Sequence, residues 1–190
     1  MTDDTTRGTA SFISELGVLK NVSRTGWWFT GNKQPESVAE HSFRVGAIGS
    51  ILAMMEGVNA ARVALMCLFH DSQETRVGDI PHIGRRYLRA APNEEVTADQ
   101  VANAHPAVRE GVQSAVDEYE AGETPEAIVA RDADKLECLF QAIEYREQGY
   151  SLTRNWIDTS LASLKTPSAK ALADSALSGT SLDWQQNFRP

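Results

Sequence analysis

Residues 60–74, AARVALMCLFHDSQE, are apolar at helical spacing as far as Phe69 and then introduce His70, Asp71 and, one helical turn past the histidine, Glu74. On a wheel advancing by about 100° per residue, His70 and Glu74 fall on the face of Val63, Met66 and Cys67, with Asp71 about a quarter turn away. Ionisable groups thus share a face that should pack. The preceding helix repeats the pattern. Ser37-Val38-Ala39-Glu40 reads as a capping box, and on the helix it opens His41 lies on the face of Val38, Val45, Ile48 and Leu52. Two consecutive helices each turn an imidazole inward, toward a core built of helix on helix.

Outward from this pair the periodicity stays helical, with no alternating strand pair, repeat or low-complexity segment, so the fold class is all-α. The pattern predicts helices over 9–20, 37–56, 60–75, 93–103, 106–120, 124–148 and 152–163, with a short one over 167–177. Thr124-Pro125 supplies an N-cap and a first-turn proline, and Gly149 a C-terminal stop. Two segments rich in Gly, Pro and basic or aromatic residues, 24–35 and 78–86, are the loops where function should sit. A chain of 190 residues, 42% hydrophobic, can bury one sizeable core and is read as a single domain over 1–190. The formal charge of −8 argues against a general affinity for nucleic acid or anionic membrane, although locally concentrated cations could still hold a small anion. The opening MTDDTTRGTASF has neither the basic flank nor the apolar core of a targeting signal, and no apolar run is long enough to span a bilayer. A cytoplasmic location is expected. Cys67 and Cys138 both fall inside helical patterns and are expected as reduced, buried thiols.

Buried histidine and aspartate need partners, because an unpaired buried charge costs several kcal/mol. Taken singly, each has a plain explanation: a lone inward His41 is commonly a hydrogen-bonded core histidine, and Asp71 could merely support a helix end. The coincidence of His41, His70, Asp71 and Glu74 on neighbouring helices favours a site. A divalent metal would satisfy these groups together. Imidazole and carboxylate suit Mn, Fe, Co, Ni or Zn, and a site short of its full coordination keeps water available for chemistry.

The order His41, then His70-Asp71, then a later helix carrying Asp134 resembles the metal signature of the HD-domain phosphohydrolases. The surrounding blocks RTGWWFTG (24–31), PESVAEHSFRV (35–45), LFHDSQETRVGDIP (68–81) and RDADKLE (131–137) resemble the HD-domain 5'-deoxynucleotidase family. The similarity runs from about Leu16 to the last helix, where residues 164–171 also fit. What it implies is an HD-domain helical bundle with His41, His70, Asp71 and Asp134 as ligands of a divalent transition metal such as cobalt or manganese. Glu74 and Asp79 match the family's catalytic carboxylates, and Arg24 and Trp27 the pair that closes over the substrate, Trp27 rather than Trp28 by its distance from the first ligand. The implied reaction is hydrolysis of a (deoxy)ribonucleoside 5'-monophosphate to nucleoside and inorganic phosphate. Pairing of the family fold through helices allows a homodimer.

These residue types suit that chemistry. Glu74 could orient or deprotonate water, and Asp79, in the Gly78-Asp79-Ile80-Pro81 turn, could protonate the departing 5'-oxygen. Arg24 can grip phosphate through a bidentate fork. Lys135 is either a phosphate contact or half of a structural ion pair, and Lys33, Arg85 and Arg86 are either a positive mouth or solvated charges. On the helix over 124–148 the periodicity and the motif disagree. Ile128, Val129, Leu136, Leu139, Phe140 and Ile143 share a face on which Asp132 is central, whereas the motif selects Asp134, which sits with Ala127, Ala130 and Cys138; small residues leave space for a metal, so the motif is followed and Asp134 is the expected ligand. His82 and His105 are spare histidines. Because oxygen-using HD proteins hold a second iron with extra histidines in this interval, a di-iron oxygenase acting on a small molecule is the alternative. A metal-stabilised binding protein without catalysis is the third.

Overall fold

The structure, a computed structural model, describes residues 2–188. In chain order its α-helices are α1 (Thr2–Leu16), α2 (Val38–Glu56), α3 (Ala60–Phe69), α4 (Glu74–Val77), α5 (Asn93–Val101), α6 (Pro106–Ala121), α7 (Pro125–Glu147), α8 (Arg154–Ser163) and α9 (Pro167–Ser178). Among the described residues there is no strand, only an isolated bridge between Ser23 and Ser37. The starts follow the local chemistry. Ser37 and Glu40 exchange both arms of a capping box at α2, Thr124 accepts from the Ala127 amide at α7, and Thr166 accepts from Ala169 at α9.

The centre of the bundle is α7, which packs against α2, α3, α6, α8 and α9. Leu136, Leu139 and Ile143 are buried on one side of it and Ala127, Ala130 and Ala133 on the other, so the helix is enclosed nearly all round. Against it lies the pair α2 and α3. A Cβ on Gly49 would come within 2.5 Å of Cys67 Sγ and 3.1 Å of Val63, so this glycine permits the close approach of the two histidine-bearing helices. A satellite core of Phe12, Val101, Ala104 and Val112 joins α1, α5 and α6.

Two elements depart from the sequence expectation. The first helix begins at Thr2 rather than near residue 9, and at Gly8 it crosses the chain so closely that a Cβ would sit 1.9 Å from the Asn103 carbonyl oxygen. The helix expected over 60–75 ends at Phe69. From there the backbone tightens, with Ser72 N donating to Phe69 O at 3.1 Å, Glu74 N to Asp71 O at 3.1 Å and Thr75 N to Ser72 O at 3.3 Å. These i→i−3 bonds turn the chain more per residue than an α-helix does, so a wheel drawn at 100° fails past Phe69 and Asp71 is re-aimed.

Candidate metal centre

Four side chains from three elements converge. His41 comes from α2, His70 and Asp71 from the tight turn after α3, and Asp134 from α7. His41 Nε2 lies 3.6 Å from Asp71 Oδ2 and 3.4 Å from Asp134 Oδ1, and His70 Nε2 lies 3.2 Å and 3.9 Å from the same two oxygens. Ligand atoms each about 2.1 Å from one ion stand roughly 3.0–3.5 Å apart, so these spacings are close to those of a coordination shell. His41, His70 and Asp71 form a group whose ligand atoms all lie within 4.8 Å of one another. Both Nε2 atoms are buried and have no hydrogen-bond partner among the described residues. Two orphaned lone-pair positions facing two carboxylates are costly unless a cation completes them. The donor set therefore fits a divalent transition metal.

The opposite ring nitrogens are already engaged. His70 Nδ1 donates to the Cys67 carbonyl at 2.8 Å; a carbonyl only accepts, so the proton is on Nδ1 and the Nε2 lone pair is free. His41 Nδ1 is 2.5 Å from Glu137 Oε2, and Glu137 is itself bound through Oε1 by Arg44 Nε at 2.9 Å. Arg44 continues to Glu144 at 2.7 Å and Gln141 at 2.7 Å. A fully buried carboxylate thus orients the first imidazole, the outer arrangement that ligating histidines need. Burial and Arg24 would both lower the His41 pKa, but Glu137 and Asp134 outweigh them and raise it. Burial would raise Asp134, yet Lys135 and the two imidazoles hold its carboxyl well below the usual carboxylate range.

The other predicted residues border this cluster. Glu74 has one oxygen buried without a partner, and burial together with Asp71 and Asp79 raises its pKa far above the ordinary carboxyl range. Asp79 Oδ2 accepts from the Thr25 amide and, at 2.9 Å, from the Thr25 hydroxyl, tying the two loops together. Arg24 donates to Asp71 Oδ2 at 3.2 Å and lies 3.5 Å from Cys138 Sγ. Lys135 donates to Asp134 Oδ2 at 2.8 Å. Trp27 is packed between Trp156, stacked at 5.5 Å, and the edge of Tyr145, and donates to Glu36 at 3.0 Å, while its neighbour Trp28 is 53% exposed.

Two cavities meet here. One of about 460 Å³ contains His70, Asp71, Glu74 and Asp134; the other, of about 590 Å³, is walled by Trp27, Phe29, Trp156, Asp79 and Asn155. Arg24, Arg85, Lys135 and Ser163 border both. This is the local concentration of cations that an acidic chain needs to hold an anion.

The disagreement over α7 has a structural answer. Asp132 is buried, but it accepts from Lys165 N at 3.0 Å, Thr166 N at 2.7 Å and Thr166 Oγ1 at 2.7 Å, and so anchors the start of α9; Asp134 faces the histidines. Of the thiols, Cys67 is buried, whereas Cys138 is only half-buried and lies beside Arg24, its pKa pushed up to about 12 by burial and Asp134. Because His41 Nδ1 is already bonded to Glu137 and Glu137 to Arg44, the group His41, Glu137 and Cys138 is better described as the outer support of His41. The extra histidines do not gather around an ion. His105 is exposed and caps α6 by accepting from Ala107 N at 3.2 Å, and His82 borders only the larger cavity. Lys33 and Arg86 line neither cavity.

Sequence reasoning missed Glu137, Arg44 and Tyr119. The first two lie inside the quoted blocks, each three residues beyond a cluster residue, and that spacing was the available signal. Tyr119, whose ring is 5.1 Å from His70 and whose hydroxyl is 3.5 Å from Asp134, had none: on α6 it is one more buried aromatic.

The family described as HD domain matches residues 16–174. The 5'-deoxynucleotidase hdd1 of Schizosaccharomyces pombe is 31% identical over 72% of this chain and 72% of its own length. The 5'-deoxynucleotidase HDDC2 of Dictyostelium discoideum is 30% identical over 85% of this chain and 93% of its own. Among solved structures, a predicted metal-dependent phosphohydrolase from Magnetospirillum magnetotacticum superposes with a TM-score of 0.70 at 25% identity, covering 90% of this chain and 93% of that one. The chain belongs to the HD-domain 5'-deoxynucleotidase family, whose members are metal-dependent phosphohydrolases.

Proposed function

We propose that the protein hydrolyses a deoxyribonucleoside 5'-monophosphate to deoxynucleoside and inorganic phosphate, with His41, His70, Asp71 and Asp134 holding a divalent transition metal, cobalt or manganese foremost. The observation that carries this reading is the pair of buried, partnerless Nε2 atoms of His41 and His70 facing Asp71 and Asp134. The substrate class follows the relatives named 5'-deoxynucleotidase. When bound, such a cation supplies positive charge that makes water more acidic and draws charge from a phosphoryl oxygen.

The chain's own groups divide the remaining work. Glu74 takes a proton from the attacking water as its oxygen bonds to phosphorus. Its carboxyl is kept neutral by burial and by Asp71 and Asp79, so added positive charge nearby is what frees it to act as a base. The proton that Glu74 takes up is passed on to the 5'-oxygen as the P–O bond breaks, with Asp79 Oδ1, left open because Thr25 occupies Oδ2, placed to relay it. Arg24 and Lys135, each fixed by a carboxylate, add positive charge where phosphate sits. Trp27 walls the space left for sugar and base, with Phe29 and Trp156.

No helix among the described residues is long and apolar enough to cross a membrane, which is consistent with the cytoplasmic enzyme we infer. A homodimer is supported by the exposed stripe of Phe43, Ile51 and Met54 along α2. The deciding experiment is phosphate release from a panel of ribo- and deoxyribonucleoside 5'-monophosphates by metal-stripped protein, with Co, Mn, Mg or no metal restored and Glu74→Ala alongside. Metal-dependent release that prefers deoxynucleotides and collapses in the variant is expected. No release with any metal would remove the reading.

A further inference from the structure

The cations that border both cavities are not equally available. Arg24 is committed to Asp71 and Cys138, and Lys135 to Asp134. Arg131, on the smaller cavity, donates to the carbonyls of Tyr119 at 2.8 Å and Glu120 at 2.7 Å. Arg86, next along the chain, lies over the ring of Tyr87 at 6.0 Å. Arg85 is exposed, borders both cavities, and makes no side-chain hydrogen bond or ion pair among the described residues. Its backbone is nonetheless held: Gly84 N and Arg85 N both donate to Pro81 O, at 2.7 Å and 3.3 Å, two residues beyond Asp79. The guanidinium thus stands on an anchored turn with its charge unspent.

We propose that Arg85 is the residue that captures the substrate's phosphate. This rests on the nucleotidase reading, in which the phosphate lies in the smaller cavity and the nucleoside in the larger, so the phosphate sits at their shared border. Asp71 and Asp134 line that basin and would be engaged by the metal, and an incoming phosphate brings further negative charge to it. Arg24 and Lys135 are largely neutralised by their own carboxylates. Besides the metal, a guanidinium without a partner, able to pair bidentately with phosphate oxygens, is what the arrangement otherwise lacks, and Arg85 supplies it.

The test uses the metal-loaded full chain and two readouts, the KM and kcat for a deoxynucleoside monophosphate and the affinity for inorganic phosphate by calorimetry. Arg85→Gln is expected to raise KM and weaken phosphate binding each about tenfold while kcat changes less, and Arg85→Lys to recover part of the loss. Arg89→Gln, an exposed charge on the same segment, is expected to behave as wild type. Unchanged KM and unchanged phosphate affinity in Arg85→Gln would overturn the assignment, whatever happened to kcat. If wild-type protein released no phosphate from any nucleotide, the nucleotidase reading would fall, and the calorimetry would still decide whether Arg85 binds phosphate.

Discussion

Asp132 and Asp134 stand two residues apart on α7, and the regions they serve treat polar groups in opposite ways. Around Asp132 the bonding is complete: two amides and a hydroxyl of the segment entering α9 donate to one carboxylate. Around Asp134, two imidazole nitrogens and a Glu74 oxygen are buried with no partner. The first region lowers the free energy of the fold. The second leaves buried polar groups unpaired, a cost that a bound cation would offset. An incompletely bonded cluster inside an otherwise well-satisfied bundle is therefore the better pointer to function than burial or charge alone.

The contrast breaks most visibly at Asp134. Asp134→Ala is expected to lower phosphate release by at least about a thousandfold and to strip the protein of metal, since one of the converging carboxylates goes. Thermal unfolding without metal should move less than in Asp132→Ala, because the hydrogen-bond partners of Asp134 are the side chains of Lys135 and Tyr119 rather than backbone amides. Metal content measured after purification decides the matter, and a full equivalent of metal in this variant would place the ligand elsewhere.

Asp132→Ala should do the reverse. It leaves buried backbone donors at the start of α9 unpaired, a loss of roughly 3 kcal/mol, or a drop in Tm of roughly 10 °C for a chain of this size. Metal content should stay at the wild-type level. Calorimetric unfolding and metal analysis of the same sample test both halves of the statement.

The smallest effect sharpens the comparison at a surface example of complete bonding. Glu15 accepts from Arg76 Nε at 2.7 Å, Gln100 Nε2 at 2.9 Å and Thr75 Oγ1 at 2.9 Å. Arg76 foremost, aided by Gln100 and Thr75, lowers its pKa to about 2 against an opposing effect of burial. A folded-state pKa below the ordinary 4.5 means stability that is present above pH 4.5 and lost as pH falls toward 2. Because the group is largely solvent-screened, the contribution is discounted to about 1 kcal/mol. Glu15→Gln should cost that amount at neutral pH and nothing near the lower limit, as urea unfolding across the acid range would register. A difference between the two proteins that did not shrink with falling pH would refute the linkage.

Legibility in the sequence followed the length scale of the interaction. Helix starts were readable because a cap needs only residues three apart, as at Ser37 with Glu40 and Thr124 with Ala127. The inward faces of α2 and α3 were readable because apolar residues recur at one period, and Val38, Val45, Leu52, Val63 and Met66 are all fully buried. The break at His70 was not, since i→i−4 and i→i−3 bonding differ by little locally and the outcome depends on what the turn packs against. The partner of Glu137 was equally hidden, because His41 lies 96 residues away.

The sequence by itself determined that the protein is a helical bundle with histidines on two packing faces, since periodicity and capping are properties of neighbouring residues. Only the tertiary structure decided that Asp132 is spent on the start of α9, that Arg44 and Glu137 brace His41, and that Arg85 is the unspent cation between two cavities. Those facts depend on which side of α7 meets α2 and which meets α9. No period along one chain segment records that, because it is set by the packing of helices far apart in sequence.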